Sequence, residues 1–269
     1  MNKVAIFSVP RSGSSWLGQI LNSNENVEFK FQPNYAYSFP LELTENDSSE
    51  DINLFFEELR NTQDSFVNGK ITISSKKGIE FNKKDTSCLV FKETHYINVL
   101  PNLLKKSNIK ILGLIRSPFA VINSWIKIPK EFNPEWDLKE EWENASIKNS
   151  NKKSHYFGYN KWKEAAFLFL DLQEKYPDRF KIINYNSFLS SKISLTKEIY
   201  NFCGLEMSDQ TLKFIEDSST KNDADDAYSI FKRKDKDDQW SSELPQFIIN
   251  QIRKDEDFKT LNKIFRWIP

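Results

Sequence analysis

The chain has 269 residues, which suits one large domain, since single cores stop growing near ~250–300 residues. Hydrophobic residues make up 39% of it, with 22 Phe, 9 Tyr and 7 Trp, and that much apolar material excludes a wholly disordered chain. Thirty-eight Lys and Arg balance 38 Asp and Glu, so the basic excess of a general nucleic-acid or anionic-membrane binder is missing and any anion site has to be local.

Cys88 and Cys203 are too few for a disulfide framework and both lie in apolar runs, so they read as buried thiols of a reducing compartment. The longest apolar runs, such as 165–170, fall short of the ~20 residues of a membrane span. Residues 4–7 are too brief for a signal-peptide core. The expected location is cytoplasmic, with no nucleic-acid partner and no transmembrane segment. Glycines number only seven, so a glycine placed in a loop carries weight.

Residues 4–9 form a short apolar run that ends in Pro10, Arg11, Ser12, Gly13, Ser14 and Ser15, the pattern of a buried strand and a small-residue turn. Trp16, Leu17, Ile20 and Leu21 recur at helical spacing before an Asn/Ser-rich stop. A second strand is expected at 27–31, a polar loop or insertion at 44–51, a helix at 52–59 and an unpatterned polar stretch at 68–86. Residues 88–91 and 109–115 have strand character, 157–176 reads as a long helix, and 181–185 as another strand. A helix is expected at 195–203 with Gly204 closing it, a charged loop at 218–238, and one amphipathic helix at 247–267. Strands alternating with helices predict a single α/β domain over 1–269, in three layers, with a mostly parallel central sheet flanked by helices.

The strand, the Pro10–Ser15 turn and the helix together have the layout of an anion cradle. A helix N-terminus presents unpaired N–H groups and partial positive charge, and Gly13 lets backbone approach an oxyanion closely. Ser14 and Ser15 add hydroxyl donors, and Arg11 adds a planar cation. Aligned with a Walker A loop on Gly13, the chain has Ser8 in place of the first glycine and Ser14 in place of the lysine. Such a loop suits a terminal phosphate-like anion and is poorly built for ATP. An ordinary turn with serine caps has the same residues, and the segment alone does not choose between the two. Further on, residues 109–115 lead into Arg116, Ser117 and Pro118, with Ser117 as a helix N-cap and Pro118 as the first helical residue. Ser124 lies two turns along the same helix face as Ser117, so Arg116 and Ser124 are candidates to grip one phosphate. A salt-bridged Arg and a Ser facing a neighbouring helix remain the plainer alternative.

Together these segments resemble the sulfotransferase family that uses 3′-phosphoadenosine 5′-phosphosulfate (PAPS). The stretch Pro10, Arg11, Ser12, Gly13, Ser14, Ser15, Trp16 looks like its 5′-phosphosulfate loop, and Arg116 with Ser124 looks like its 3′-phosphate signature. Arg233 and Lys234, followed by Trp240, resemble the family's Arg-Lys-Gly segment, and Tyr185 fits its adenine-contacting Tyr. Lys92 and His95 resemble its Lys-Thr-His stretch, which carries the catalytic base. The resemblance implies a P-loop-like fold, PAPS as donor, 3′-phosphoadenosine 5′-phosphate (PAP) as product, and no metal. It also departs from the pattern: Ser117 replaces a usual Asp or Asn, Asp235 replaces Gly, Glu93 separates Lys92 from Thr94 and His95, and Gln32 stands where some relatives place a Glu base.

The implied reaction moves a sulfuryl group to a hydroxyl. Arg11, Ser14 and Ser15 suit the leaving phosphate, Lys92 the sulfonate oxygens or protonation of the bridge, and His95 the acceptor proton. Glu28 and Glu141 are substitute bases, and His155 is expected on the surface. The aromatic residues Phe31, Tyr35, Tyr37 and Phe39 are candidates for an acceptor platform, though core packing is the commoner use of such residues. Trp136 and Trp142 are expected in a mobile lid, and 218–238 is expected to close on bound nucleotide. The favoured acceptor is a carbohydrate or glycolipid precursor. The rival readings are a P-loop-type kinase and a catalytically silent PAP- or glycan-binding module.

Overall fold

The computed structural model of the chain describes residues 1–70, 79–221, 229–231 and 236–269. In chain order the elements are β1 (Asn2–Phe7), α1 (Ser14–Asn22), β2 (Val27–Phe31), α2 (Ser49–Asn61), β3 (Cys88–Glu93), α3 (Leu100–Lys106) and β4 (Lys110–Ile115). Then follow α4 (Pro118–Ile126), α5 (Leu138–Asn144), α6 (Ser146–Asn149), α7 (Tyr159–Lys175), β5 (Phe180–Asn184), α8 (Tyr185–Ser190) and α9 (Lys192–Cys203). The chain ends in α10 (Asp209–Thr220), α11 (Trp240–Glu243), α12 (Gln246–Lys254) and α13 (Glu256–Phe265).

The strands form one sheet in the order β2-β3-β1-β4-β5, every pairing parallel. Strand periodicity explains the three layers. Ala5 and Phe7 of β1 face one core, together with Leu89 and Phe91 of β3 and Ile111 and Ile115 of β4. Val4 and Ile6 face the other, with Cys88, Val90, Leu112 and Leu114. Successive side chains of a strand point to opposite faces, so each central strand feeds both cores and reads as a continuous apolar run. Helices α2, α3, α4, α7, α12 and α13 cover the first face, and α1, α9 and α10 the second.

Because β1 lies between β3 and β4, its outgoing loop opens where the strand order reverses, the place where open α/β sheets bind ligands. The ends of β3, β4 and β5 surround that loop.

Several expectations need correction. The C-terminal helix is two helices, broken at Asp255, whose side chain accepts from Phe258 N and so starts α13. Ser218 to Thr220 belong to α10 and not to a loop, and residues 222–228 and 232–235 of the expected loop lie outside the described residues. Tyr185 opens α8 instead of ending a strand. Trp142 belongs to no lid: it is 1% exposed and stacks on Tyr159 with ring centroids 5.7 Å apart. The polar 44–51 segment is loop only to Ser48, which caps α2 in a reciprocal capping box with Asp51, so Ser49 to Asp51 are its first turn.

Gly113 in β4 is needed for close packing of α7 onto the sheet. A Cβ there would sit 2.7 Å from Phe180 Cζ and 3.0 Å from Phe169 Cδ2. Gly113→Ala is therefore expected to lower unfolding free energy by ~1–3 kcal/mol through overpacking, read as a lower urea midpoint at unchanged slope. An unchanged midpoint would mean that the two phenylalanines yield freely.

Candidate functional site

The loop leaving β1 is pinned at its start, where Ser8 N donates to Glu93 O at 3.2 Å. Arg11 takes φ 69° and Gly13 φ 92°, both left-handed, so the backbone curls sharply before α1 begins. At Gly13 a side chain is excluded twice over, by its φ and by Tyr185, whose Cε2 would lie 2.5 Å from a Cβ. The hydroxyls of Ser8 and Ser12 are buried with no hydrogen-bond partner. Unsatisfied buried hydroxyls are costly in a finished core, and here they line a loop at a helix N-terminus, where an oxyanion is welcome. The cradle therefore fits the phosphate group expected of it.

Among the described residues, three cationic side chains converge on this loop. Lys92, at the end of β3, places Nζ 3.5 Å from Ser15 Oγ and 4.2 Å from the Phe31 ring centroid. Arg11 Nε donates to Ser124 Oγ at 3.2 Å, and its Nη1 lies 3.5 Å from Glu131 Oε1. Arg116, at the end of β4, donates through Nη1 to Arg11 O at 2.7 Å and through Nε to Asp237 Oδ2 at 2.7 Å, while Nη2 donates to Asp237 Oδ1. Its guanidinium carbon lies 4.8 Å from the Tyr185 ring centroid, and its carbonyl accepts from Trp162 Nε1 at 3.0 Å.

The two segments expected to bind phosphate are thus one site, cross-linked by Arg116. The sharing of partners differs from expectation, since Ser124 serves Arg11 and Arg116 holds a carboxylate. Ser117 occupies the N-cap position without capping, because its buried hydroxyl has no partner. Trp16 packs against Phe188 with centroids 4.8 Å apart and donates to Ser218 Oγ at 3.0 Å. It supports the loop from the core side. Arg233 and Lys234 lie outside the described residues, as does Asp235.

His95 follows β3 in a nest of rings. Tyr35 stacks at 6.0 Å, Phe157 lies at 5.2 Å and His155 at 5.1 Å. His155 is thus half-buried beside its counterpart and not a surface residue, a placement that a separation of 60 positions conceals in the sequence. Burial, then the positive neighbours His155 and Lys92, pushes the His95 imidazole down to about 3, so it is neutral across the physiological range. Burial also pushes the Lys92 ammonium down and the Glu93 carboxyl up. Glu93 Oε1 accepts from Asn34 N at 2.7 Å, and its Oε2 is buried without a partner. The substitute bases are engaged elsewhere, Glu28 with Lys30 at 3.1 Å and Glu141 capping Ile147 N.

An α/β sheet with a phosphate-type loop at its switch point, ringed by Arg11, Lys92 and Arg116, defines a protein that handles a phosphorylated or sulfated anion. A family profile described as sulfotransferase domain matches residues 1–262, and the chain belongs to that family. No curated protein sequence matches it. Among solved structures it is similar to mouse sulfotransferase SULT7A1 complexed with PAP, at 14% identity over 99% of this chain and 89% of that one, with a TM-score of 0.59. It is similar to the sulfotransferase domain of the Synechococcus PCC 7002 olefin synthase at 17% identity, covering 100% and 96%, with a TM-score of 0.56. Retinol dehydratase in complex with androsterone and PAP matches at 15% identity, covering 97% and 80%, with a TM-score of 0.56. At these identities the likeness is one of fold: the mostly parallel sheet between helices is the P-loop-like architecture of those proteins.

Burial of His95 has a consequence for stability. Below the ordinary imidazole pKa of about 6.5 the unfolded chain takes up a proton that the folded chain declines. Stability should therefore fall as pH drops from about 6.5 towards 3, by up to ~1.4 kcal/mol per pH unit from this residue. His95→Asn lacks that component, so the gap between wild type and variant in urea unfolding should narrow from pH 6.5 to pH 4.5. A constant gap would mean that His95 is solvated or charged when folded.

Proposed function

We propose that the chain transfers a sulfuryl group from PAPS to a hydroxyl of a carbohydrate or glycolipid-precursor acceptor. The observation that carries this reading is the joining of Arg11, Lys92 and Arg116 around one loop with orphaned serine hydroxyls. A donor with phosphates at two positions needs cations at two positions, and this site supplies both.

In this reading the loop amides, Ser14, Ser15 and Arg11 hold the 5′-phosphosulfate and take up charge on the leaving phosphate. Arg116 and Ser124 face the 3′-phosphate, and Tyr185 lies against the adenine. Lys92 lies across the sulfonate oxygens. His95, neutral and desolvated, accepts the acceptor's proton as its oxygen attacks sulfur in line with the departing bridge oxygen. The exposed ring of Tyr35, stacked beside His95, favours a carbohydrate acceptor, because a flat aromatic face beside the base offers a sugar ring a place to stack. Phe39 does not share that role, being 8% exposed and packed on Phe55.

PAP is expected to raise the melting temperature, adding about 2.7 kcal/mol at ~100 times its Kd, while ATP at equal concentration does far less because Ser14 replaces the lysine of a nucleotide-triphosphate loop. Equal stabilisation by ATP would favour the kinase reading. His95→Asn should keep PAP affinity and slow single-turnover sulfation of a sugar panel by ~10²–10⁴-fold. Near-normal turnover would remove His95 from the chemistry. PAP binding by the wild type with no turnover on any acceptor would leave only a nucleotide-binding module.

A further inference from the structure

Asp237 was one of many acidic residues in a charged stretch, with nothing local to single it out. The structure gives it a specific partner 121 residues away. Its carboxylate meets the Nε and Nη2 edge of Arg116 in the fork-to-fork arrangement of a bidentate pair. Both side chains are enclosed, at 8% and 2% exposure. Burial alone pulls the guanidinium down, but the hydrogen bonds and charge of Asp237 outweigh it and hold Arg116 above its ordinary value. The third nitrogen, Nη1, is committed to Arg11 O, and Tyr185 lies against the guanidinium face. The Nε and Nη2 edge is therefore the part of Arg116 most suited to a phosphate, and a carboxylate already sits on it. Nearby, Trp240 stacks on Phe119 with centroids 4.4 Å apart, and Ser241 N donates to Asp238 O at 2.9 Å, so Asp237 is held close to a packed anchor.

Carboxylate and phosphate offer a guanidinium the same pair of oxygens at nearly the same spacing. Two anions on one fork repel each other, so one must leave before the other docks. We propose that Asp237 is a built-in competitor of the nucleotide's 3′-phosphate, setting how tightly Arg116 can hold a 3′-phosphorylated ligand. It occupies the place of the donor's 3′-phosphate on Arg116 and yields only to a ligand that carries that phosphate. A nucleotide without a 3′-phosphate leaves the Arg116–Asp237 pair closed. Asp237 thereby lowers the net affinity for PAP while sparing Arg116 the exposure of an unpaired buried charge in the empty protein. The inference rests on the assignment of Arg116 to the 3′-phosphate. The opposing possibility is that Asp237 merely braces Arg116 in its binding pose, and the two roles predict changes of opposite sign.

The test is calorimetric titration of the full chain and of Asp237→Asn with PAP and with AMP, which lacks the 3′-phosphate. The variant should bind PAP ~10- to 100-fold more tightly, the range of one charge-assisted contact. Its AMP affinity should stay within about threefold, and its ligand-free melting temperature should fall as Arg116 loses its partner. Weaker or unchanged PAP binding would overturn the proposal and make Asp237 a brace, and an equal gain for AMP would overturn it as well. If Asp237→Asn does not fold, the wild type decides: a PAP-to-AMP affinity ratio below ~10² supports a blocked fork, and a higher one overturns it. Wild-type protein that binds no PAP at all would sink the proposed function and this inference with it, whereas tight PAP binding with the wrong sign in the variant sinks only the inference.

Discussion

The hydrogen bond from Arg116 Nη1 to the carbonyl of Arg11 holds the site together. It joins the end of β4 to the loop after β1, and through it the left-handed backbone of Arg11 keeps its shape. From the same side chain the structure reaches Asp237, Tyr185 and, through the Arg116 carbonyl, Trp162 of α7. A buried guanidinium can be this central because its five donors lie in one rigid plane and its charge persists at any working pH. Loss of such a group would leave the loop carbonyl without its Nη1 donor and take the guanidinium away from the Asp237 carboxylate and the Tyr185 ring.

Around this point a chain of zero formal net charge concentrates cations where the parallel strands end. Lys92, Arg11 and Arg116 arrive from three different strands or their loops, and the acidic groups among them, Glu131 and Asp237, are placed to neutralise them in the empty protein. Lys92 and Glu93 are adjacent in sequence but leave β3 on opposite faces, Lys92 towards Ser15 and Glu93 towards Asn34. Both are buried, so each is pushed towards its neutral form. The sheet end is a low-dielectric setting in which charge brought by a ligand acts strongly.

Secondary structure was legible wherever the pattern was local. Each strand was expected within two or three residues of its place, because a strand feeding both cores reads as an unbroken apolar run. The short helices α3, α5, α6, α8 and α11 were not foreseen, being too brief for helical periodicity to declare itself, and the longer α10 was missed as well, its last turn being read as part of the charged loop. The break at Asp255 was missed because α12 and α13 share one amphipathic pattern across it. Trp142 was misplaced because a Trp in a charged segment looks exposed until Tyr159 is seen stacked beside it.

The sequence by itself determined the alternation of strand and helix, the strand-turn-helix segment that carries Arg11, Gly13, Ser14 and Ser15, and the candidate cations, since turn chemistry and helix starts are written in neighbouring residues. Only the tertiary structure decided who pairs with whom: Ser124 with Arg11, Asp237 with Arg116, and His155 with His95. Those partners are 113, 121 and 60 positions apart. Nothing in local spacing encodes such pairs. They follow from which strand ends the parallel sheet brings side by side, and from how deeply the packing around them excludes water.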